Sequence, residues 1–134
     1  ELFESIIKKY SKYSNIKFIH ASLIGKDWDA ALMSVDALLL PYGAERYRYH
    51  WAAMLFTAIG FYKPVLISPE INPEVLEKYS IGEVLNLDDV NTIAQGISKF
   101  VGNLQHHKEI YNQGLIDANK DYSHHALIAS IINV

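Results

Sequence analysis

The chain has 134 residues, half of them hydrophobic, with no cysteine and a formal net charge of −3. Such a length suits one domain with one core, and this charge offers no general attraction to a polyphosphate. The lack of cysteine excludes disulfides, zinc–thiolate sites and thiol chemistry. We therefore expect a single domain over residues 1–134 that has no nucleic-acid partner. No apolar tract is long enough to cross a bilayer and no signal-peptide pattern opens the chain, so we expect a cytoplasmic location.

Helical and strand patterns alternate along the first half of the chain. Apolar residues recur at helical spacing before Asn15, which predicts a surface helix. The elements predicted after it are the strand IKFIHA (16–21), a short helix from about Asp27 to Met33, the strand DALLLPY (36–42), an aromatic-rich helix from about His50 to Phe61 and the strand VLIS (65–68). DALLLPY is nearly all apolar, as in a strand covered on both faces, so Leu39 is expected to be fully buried.

The second half continues the alternation. A short helix through Glu77 is predicted first, with Asn72 as its N-cap and Pro73 as its first residue, and the strand GEVLNL (82–87) follows it. A helical stretch then runs from about Val90 to Asn119, capped by Asp88 or Asp89 and broken near Gly102. The last predicted element is a helix capped by Ser123. This order predicts an α/β fold, a Rossmann-like parallel sheet flanked by helices. IKFIHA, DALLLPY, VLIS and EVLNL are expected to be neighbouring buried strands.

The loop between DALLLPY and the next helix is the best-placed candidate site. It lies beyond the carboxyl end of a buried strand and at the amino end of a helix, where open α/β sheets bind their ligands. Arg46 and Arg48 could there give charge-assisted hydrogen bonds to a diphosphate, beside the N–H donors of the helix start. The alternative is a solvated loop in which the arginines pair with Glu45.

Each of several other side chains near this loop has two alternative roles. Tyr42, Tyr47 and Tyr49 could stack on a base or a sugar, or pack at the edge of the core. Glu70, just after VLIS, could accept a hydrogen bond from a sugar hydroxyl or simply begin the next turn. His20 ends IKFIHA and would then point toward the ligand edge, although a strand-end histidine is more often simply hydrogen-bonded in place.

No metal or common catalytic motif is present. The pairs His106–His107 and His124–His125 are adjacent in sequence and so do not share a helical face, and we predict no metal site. Both pairs and Glu83 are expected at the surface. The chain has no Gly-x-Gly-x-x-Gly motif of dehydrogenases, no Gly-x-Ser-x-Gly motif of serine hydrolases and no phosphate-loop motif of nucleoside triphosphatases. The sequence therefore disfavours these three classes of enzyme.

Three segments carry a family resemblance: DALLLPY, LFTAIGFYKPVLIS and IGEVLNLDD. Together they resemble the C-terminal, nucleotide-sugar-binding half of GT-B glycosyltransferases, particularly family 4 (glycosyl transferases group 1). The resemblance covers roughly residues 16 to 100. The residues in register with the family pattern are Pro41, Ala58, Lys63, Pro64, Val65, Ile81, Gly82 and Val84.

The resemblance implies one half of a GT-B fold and a glycosyltransferase activity. The partner would be a nucleoside-diphosphate sugar, used as donor substrate with no separate cofactor. The acceptor would be held by an N-terminal domain outside this chain, and in the full-length protein it could be membrane-associated. We accordingly favour a fragment of a larger protein, whose isolated domain binds donor without turnover. The catalytic residues, the base, the sugar and the stereochemistry stay open.

The family often carries two glutamates eight positions apart, one near the transferred sugar and phosphates and one on the ribose. By the resemblance these positions hold Tyr49 and Thr57, and a Ser-Gly pair found in some relatives falls on Ala52 and Ala53. Thr57 could still give a ribose hydroxyl one hydrogen bond. The expected substrate-binding residues are Tyr42, Arg46, Arg48, Tyr49, Ala52, Ala53, Thr57 and Glu70.

Two alternatives come from other classes. The absent glutamates favour a non-catalytic GT-B-like module that keeps the fold for protein interaction. A flavodoxin-like regulatory or binding domain is the third reading, although the clustered acidic residues that its receiver version needs at strand ends are lacking.

Overall fold

The computed structural model describes residues 2–132, and the chain divides into two compact units that meet in sequence between Ala31 and Leu32. In the first unit, α1 (Leu2–Tyr10) is followed by an irregular stretch, and α2 (Lys26–Met33) begins near the end of the unit. The ring of Phe3 on α1 lies 4.6 Å from the His20 ring and 6.3 Å from the Phe18 ring, measured between centroids.

The predicted strand IKFIHA is wrong, because residues 16–21 have no regular structure. None of their backbone groups pairs in a ladder with another described residue, and Ile19 is 51% exposed. A segment with β-branched and aromatic residues becomes a strand only where a partner edge and a covered face exist. His20 therefore lies against α1 and not at the end of a strand.

The second unit contains a parallel sheet, which among the described residues has three strands in the order β1 (Leu38–Leu40), β2 (Val65–Ile67) and β3 (Gly82–Val84). Leu39 is in register with Leu66, and Leu66 with Glu83. The expectation of a parallel sheet flanked by helices is confirmed at this level. Leu39, however, is 47% exposed, because β1 is an edge strand of the described sheet and one side of it has no neighbouring strand.

The remaining elements of this unit are a 3-10 helix (Glu45–Arg48), α3 (Ala53–Gly60), α4 (Pro73–Lys78), α5 (Val90–His106), α6 (Lys108–Asp121) and α7 (His124–Ile132). The long helical stretch is broken at His107 and not near Gly102. Asp89 caps α5, since its side chain accepts hydrogen bonds from the N–H groups of Asn91 and Thr92. Helix α3 begins three residues later than the sequence predicts.

Helices cover both faces of the central strand. Val65 and Ile67 point to one face, where they join a buried cluster with Leu55 of α3 and Leu115 of α6. Leu66 points to the other face and packs in a cluster with Phe100 of α5. β2 is therefore buried on both sides, which fixes the position of its carboxyl end. Over residues 2–132, no helix has both the length and the apolar character needed to span a membrane.

Candidate functional site

The carboxyl ends of β1 and β2 lie side by side at one edge of the sheet. The N–H of Ser68, the first residue after β2, donates to the carbonyl oxygen of Leu40, the last residue of β1, over 3.2 Å. The loop that carries Arg46 and Arg48 follows β1 directly, and α3 follows that loop. The structure thus places the predicted loop and a helix start at the carboxyl edge, the usual position of ligand sites in open α/β sheets.

Asn72 fixes the start of α3. It is 5% exposed and its φ of 34° lies in the left-handed region, which asparagine tolerates better than most residues. Its side-chain oxygen accepts from the N–H of Ala52 at 3.0 Å, and its side-chain nitrogen donates to Glu74 at 3.1 Å. The prediction of Asn72 as N-cap and Pro73 as first residue of α4 is confirmed, but the Asn72 side chain makes no capping hydrogen bond to α4. Its oxygen is bonded to the start of α3 instead.

Free backbone donors remain at this helix start. The N–H of Ala52 is used by Asn72, and the N–H of Leu55 donates back to the Ala52 carbonyl over 2.8 Å. The N–H groups of Ala53 and Met54 have no acceptor among the described residues, as is usual in the first turn of a helix. Ala52 is buried and Ala53 is exposed, and the side chains of both are small.

The arginine loop is held by its tyrosines. Tyr42 and Tyr47 stack with ring centroids 5.0 Å apart. The Arg46 guanidinium lies 5.0 Å from the Tyr47 ring centroid and donates to the Tyr47 hydroxyl over 3.1 Å. Arg48 is exposed, and neither arginine forms an ion pair with Glu45 in the part of the chain that the structure describes. The alternative of a loop neutralised by Glu45 is therefore not what this geometry favours.

The other predicted residues vary in their placement. Tyr49 is 77% exposed and makes no ring contact with another described residue. The hydroxyl of Thr57 donates to the Ala53 carbonyl over 2.9 Å, so only its acceptor capacity is left for a ligand. One carboxylate oxygen of Glu70 is buried and has no hydrogen-bond partner among the described residues. A buried acceptor without a partner costs roughly 1–3 kcal/mol, so this oxygen would gain from a hydrogen-bond donor.

A second polar cluster surrounds Glu83, which the sequence places at the surface. One of its oxygens accepts from Asn103 at 2.8 Å and from the Tyr111 hydroxyl at 2.9 Å, and its side chain is only 21% exposed. The Nζ of Lys99 lies 3.9 Å from the other oxygen, and Nδ1 of His107 lies 4.0 Å from the first. The cluster ties β3 to α5 and α6. It was missed because the face that Glu83 takes depends on where those helices pack.

Burial alone would raise the pKa of Glu83, but the hydrogen bonds from Asn103 and Tyr111, with Lys99 and His107 nearby, hold that pKa below its ordinary value of 4.5. Burial, followed by the bond to Glu83, raises the pKa of Tyr111 above its usual range. The carboxylate therefore stays ionised at neutral pH and the phenol stays protonated, which suits a structural clamp.

This clamp predicts a specific pH dependence. Because the folded pKa of Glu83 is lowered, its contribution is present above pH 4.5, the ordinary pKa, and is lost as pH falls through the folded value. We expect Glu83→Gln to be less stable than wild type at pH 7 by about 1 kcal/mol, because ionised acceptors form stronger hydrogen bonds. Urea unfolding of both proteins at neutral and strongly acidic pH should show this gap closing in acid. A gap that is the same at both pH values would contradict the clamp.

Comparison with known proteins adds nothing to these observations. No protein-family model, no curated protein and no solved structure matches this chain. The resemblance to glycosyltransferases consequently stays a prediction from the sequence.

Proposed function

We propose that the second unit is the donor-binding half of a GT-B glycosyltransferase, which holds a nucleoside-diphosphate sugar for transfer to an acceptor. The observation that carries the proposal is a loop with two arginines that leads into a helix start at this sheet edge. There the N–H groups of Ala53 and Met54 have no acceptor among the described residues. Anions bind at such positions because the helix start has a partial positive charge and unpaired donors. The family resemblance supplies the identity of the anion.

The diphosphate would lie across the start of α3. There the backbone donors contribute about 0.3–1 kcal/mol each through the helix dipole, and a charge-assisted bond from an arginine contributes about 1.5–3 kcal/mol. Arg46 is oriented by the Tyr47 ring, so less side-chain freedom is lost when it binds. During transfer the same groups would stabilise the charge that develops on the diphosphate leaving group.

The sugar and the nucleoside would contact the side chains that flank the diphosphate. The buried oxygen of Glu70 would accept a hydrogen bond from a sugar hydroxyl, and Thr57 would accept one from the ribose. The exposed ring of Tyr49, with the Tyr42–Tyr47 stack beside the arginines, offers aromatic surface to the base. The acceptor and the catalytic base of an inverting enzyme would come from a separate domain, so this chain alone would bind without turnover.

The main competitor is a non-catalytic module with the same fold. One observation favours it: Thr57, at the position where family members often have a ribose-binding glutamate, already donates its hydroxyl to Ala53. A ribose at this position would therefore donate one hydrogen bond to Thr57, whereas a carboxylate could accept two from it. A measurement of nucleotide-sugar binding separates the two functions, because a glycosyltransferase domain must bind its sugar donor and a non-catalytic module need not.

Calorimetric titration with uridine and guanosine diphosphates, and with the matching nucleosides, tests the proposal. We expect weak binding that is tighter for the diphosphates and that weakens as salt is raised. Arg46→Ala and Arg48→Ala should each lose about 1–3 kcal/mol of that binding. Lys108→Ala, which removes the same charge from the start of α6, is the matched control and should bind normally. Equal binding of nucleoside and diphosphate, or none at about 1 mM ligand, would favour the non-catalytic module.

A further inference from the structure

A cavity of about 240 Å³ lies next to the carboxyl ends of β2 and β3 and against α4. Its walls are mostly apolar. They include Ile67 at the end of β2, Ile71 in the loop after it, Leu76 on α4 and Val84 on β3. Val84 is 56% exposed and so lies where the cavity meets solvent. None of these residues belongs to the arginine loop or to the start of α3.

Ser68 is the residue of this cavity whose side chain has a polar group with no evident structural role. It is fully buried and lines the cavity, and its hydroxyl has no hydrogen-bond partner among the described residues. Its backbone is fully used, because its N–H donates to Leu40 and its carbonyl accepts from Ile71. The backbone is therefore fixed, while no bond from another described residue holds the hydroxyl in one rotamer. Alanine would fill the same place without an unpaired polar group.

Size and charge restrict what this cavity can take. An apolar cavity of about 150 Å³ holds one benzene molecule, so this volume accommodates a single ring with a small substituent. Glu77 also lines the cavity and is exposed, and its carboxylate disfavours an anion. Of the side chains that line the cavity, those of Ser68 and Glu77 are polar, and the Ser68 hydroxyl can donate or accept.

We propose that this cavity is a binding site for a neutral ring-shaped group that carries one hydroxyl, which hydrogen-bonds to Oγ of Ser68. The apolar walls take the ring, as in most small-molecule sites, and Ser68 supplies the orientation. This site is independent of the proposed diphosphate site, since it uses neither the arginines nor the helix start. A negative result for one of the two sites would therefore not count against the other.

Phenol and toluene are suitable probes, because they have nearly the same shape and differ in the hydroxyl. We expect phenol to bind the full chain about tenfold more tightly than toluene in an NMR titration, with the largest amide shifts at Ser68, Leu76 and Val84. Ser68→Ala should weaken phenol binding about tenfold and leave toluene binding unchanged. This variant should fold, because removing an unpartnered hydroxyl breaks no hydrogen bond.

Two further variants complete the test. Ser80→Ala removes a hydroxyl from an exposed serine that does not line this cavity, and it should leave both probes unaffected. Val84→Phe should occupy the mouth and weaken binding of both. Equal affinity of wild type for the two probes, phenol binding that survives in Ser68→Ala, or no binding of either probe at about 10 mM would overturn the proposal.

Discussion

Gly82→Ala is expected to destabilise the protein by about 3 kcal/mol or more. A Cβ built at Gly82 would lie 1.9 Å from the carbonyl oxygen of Val65 and 2.8 Å from its carbonyl carbon. Both atoms belong to the backbone of the buried central strand, so the clash is relieved only by separating β3 from β2. Overpacking against a fixed backbone is among the most costly kinds of substitution. Urea unfolding followed by circular dichroism measures the loss.

Gly102→Ala is the matched control for this change. Gly102 lies inside α5 and no atom outside its own helix backbone is within 4 Å of the position of its added Cβ. The substitution should therefore stabilise the protein by about 0.5–1 kcal/mol, since alanine is the better helix former. If both variants changed stability in the same direction and by a similar amount, the pairing of β2 with β3 would be contradicted.

Leu55→Ala is expected to cost about 2–5 kcal/mol in the free energy of unfolding. Leu55 on α3 is fully buried in the cluster that includes Val65 and Ile67, and truncation would leave a cavity between helix and sheet. Leu39→Ala makes the same chemical change on an edge strand at a side chain that is 47% exposed, and it should cost less than about 1 kcal/mol. Thermal and urea unfolding of the two variants compare them directly. Equal losses would show that α3 does not pack on this face of the sheet.

The elements that could be predicted from sequence are those with a local signal. VLIS is a continuous apolar run between turn residues, and the structure buries all three residues of β2. Asp89 caps α5 and Ser123 accepts from the N–H of Ala126, as short polar side chains before apolar runs do. The alternation of such signals was sufficient for a parallel sheet flanked by helices.

What could not be predicted depends on partners that are distant in sequence. IKFIHA has a strand-like composition, but no described residue pairs with it, and the exposure of Leu39 follows from the number of neighbouring strands. Asn72 is the N-cap residue of α4 as predicted, but its side chain bonds to Ala52, which is 20 residues away. Its role depends on α3 and the loop after β2 meeting at one edge.

The position of the candidate site could be predicted from the sequence, whereas two of its polar details could not. Its position follows from the order of strand, loop and helix, and the structure places Arg46, Arg48 and the start of α3 at that edge as expected. The buried oxygen of Glu70 and the unpaired hydroxyl of Ser68 depend on the packing of the loop after β2. The signal that could have pointed to Ser68 is a serine at the end of an otherwise apolar strand.

The most direct test of donor binding is an NMR titration of the isotope-labelled full chain with uridine diphosphate. If the diphosphate lies across the start of α3, the largest shifts should occur at the amides of Ala53, Met54 and residues 45–48, and they should shrink when salt is raised. Shifts confined to the Glu83 cluster or to the amino ends of the strands, or no shifts at about 1 mM ligand, would contradict a diphosphate site at the carboxyl edge.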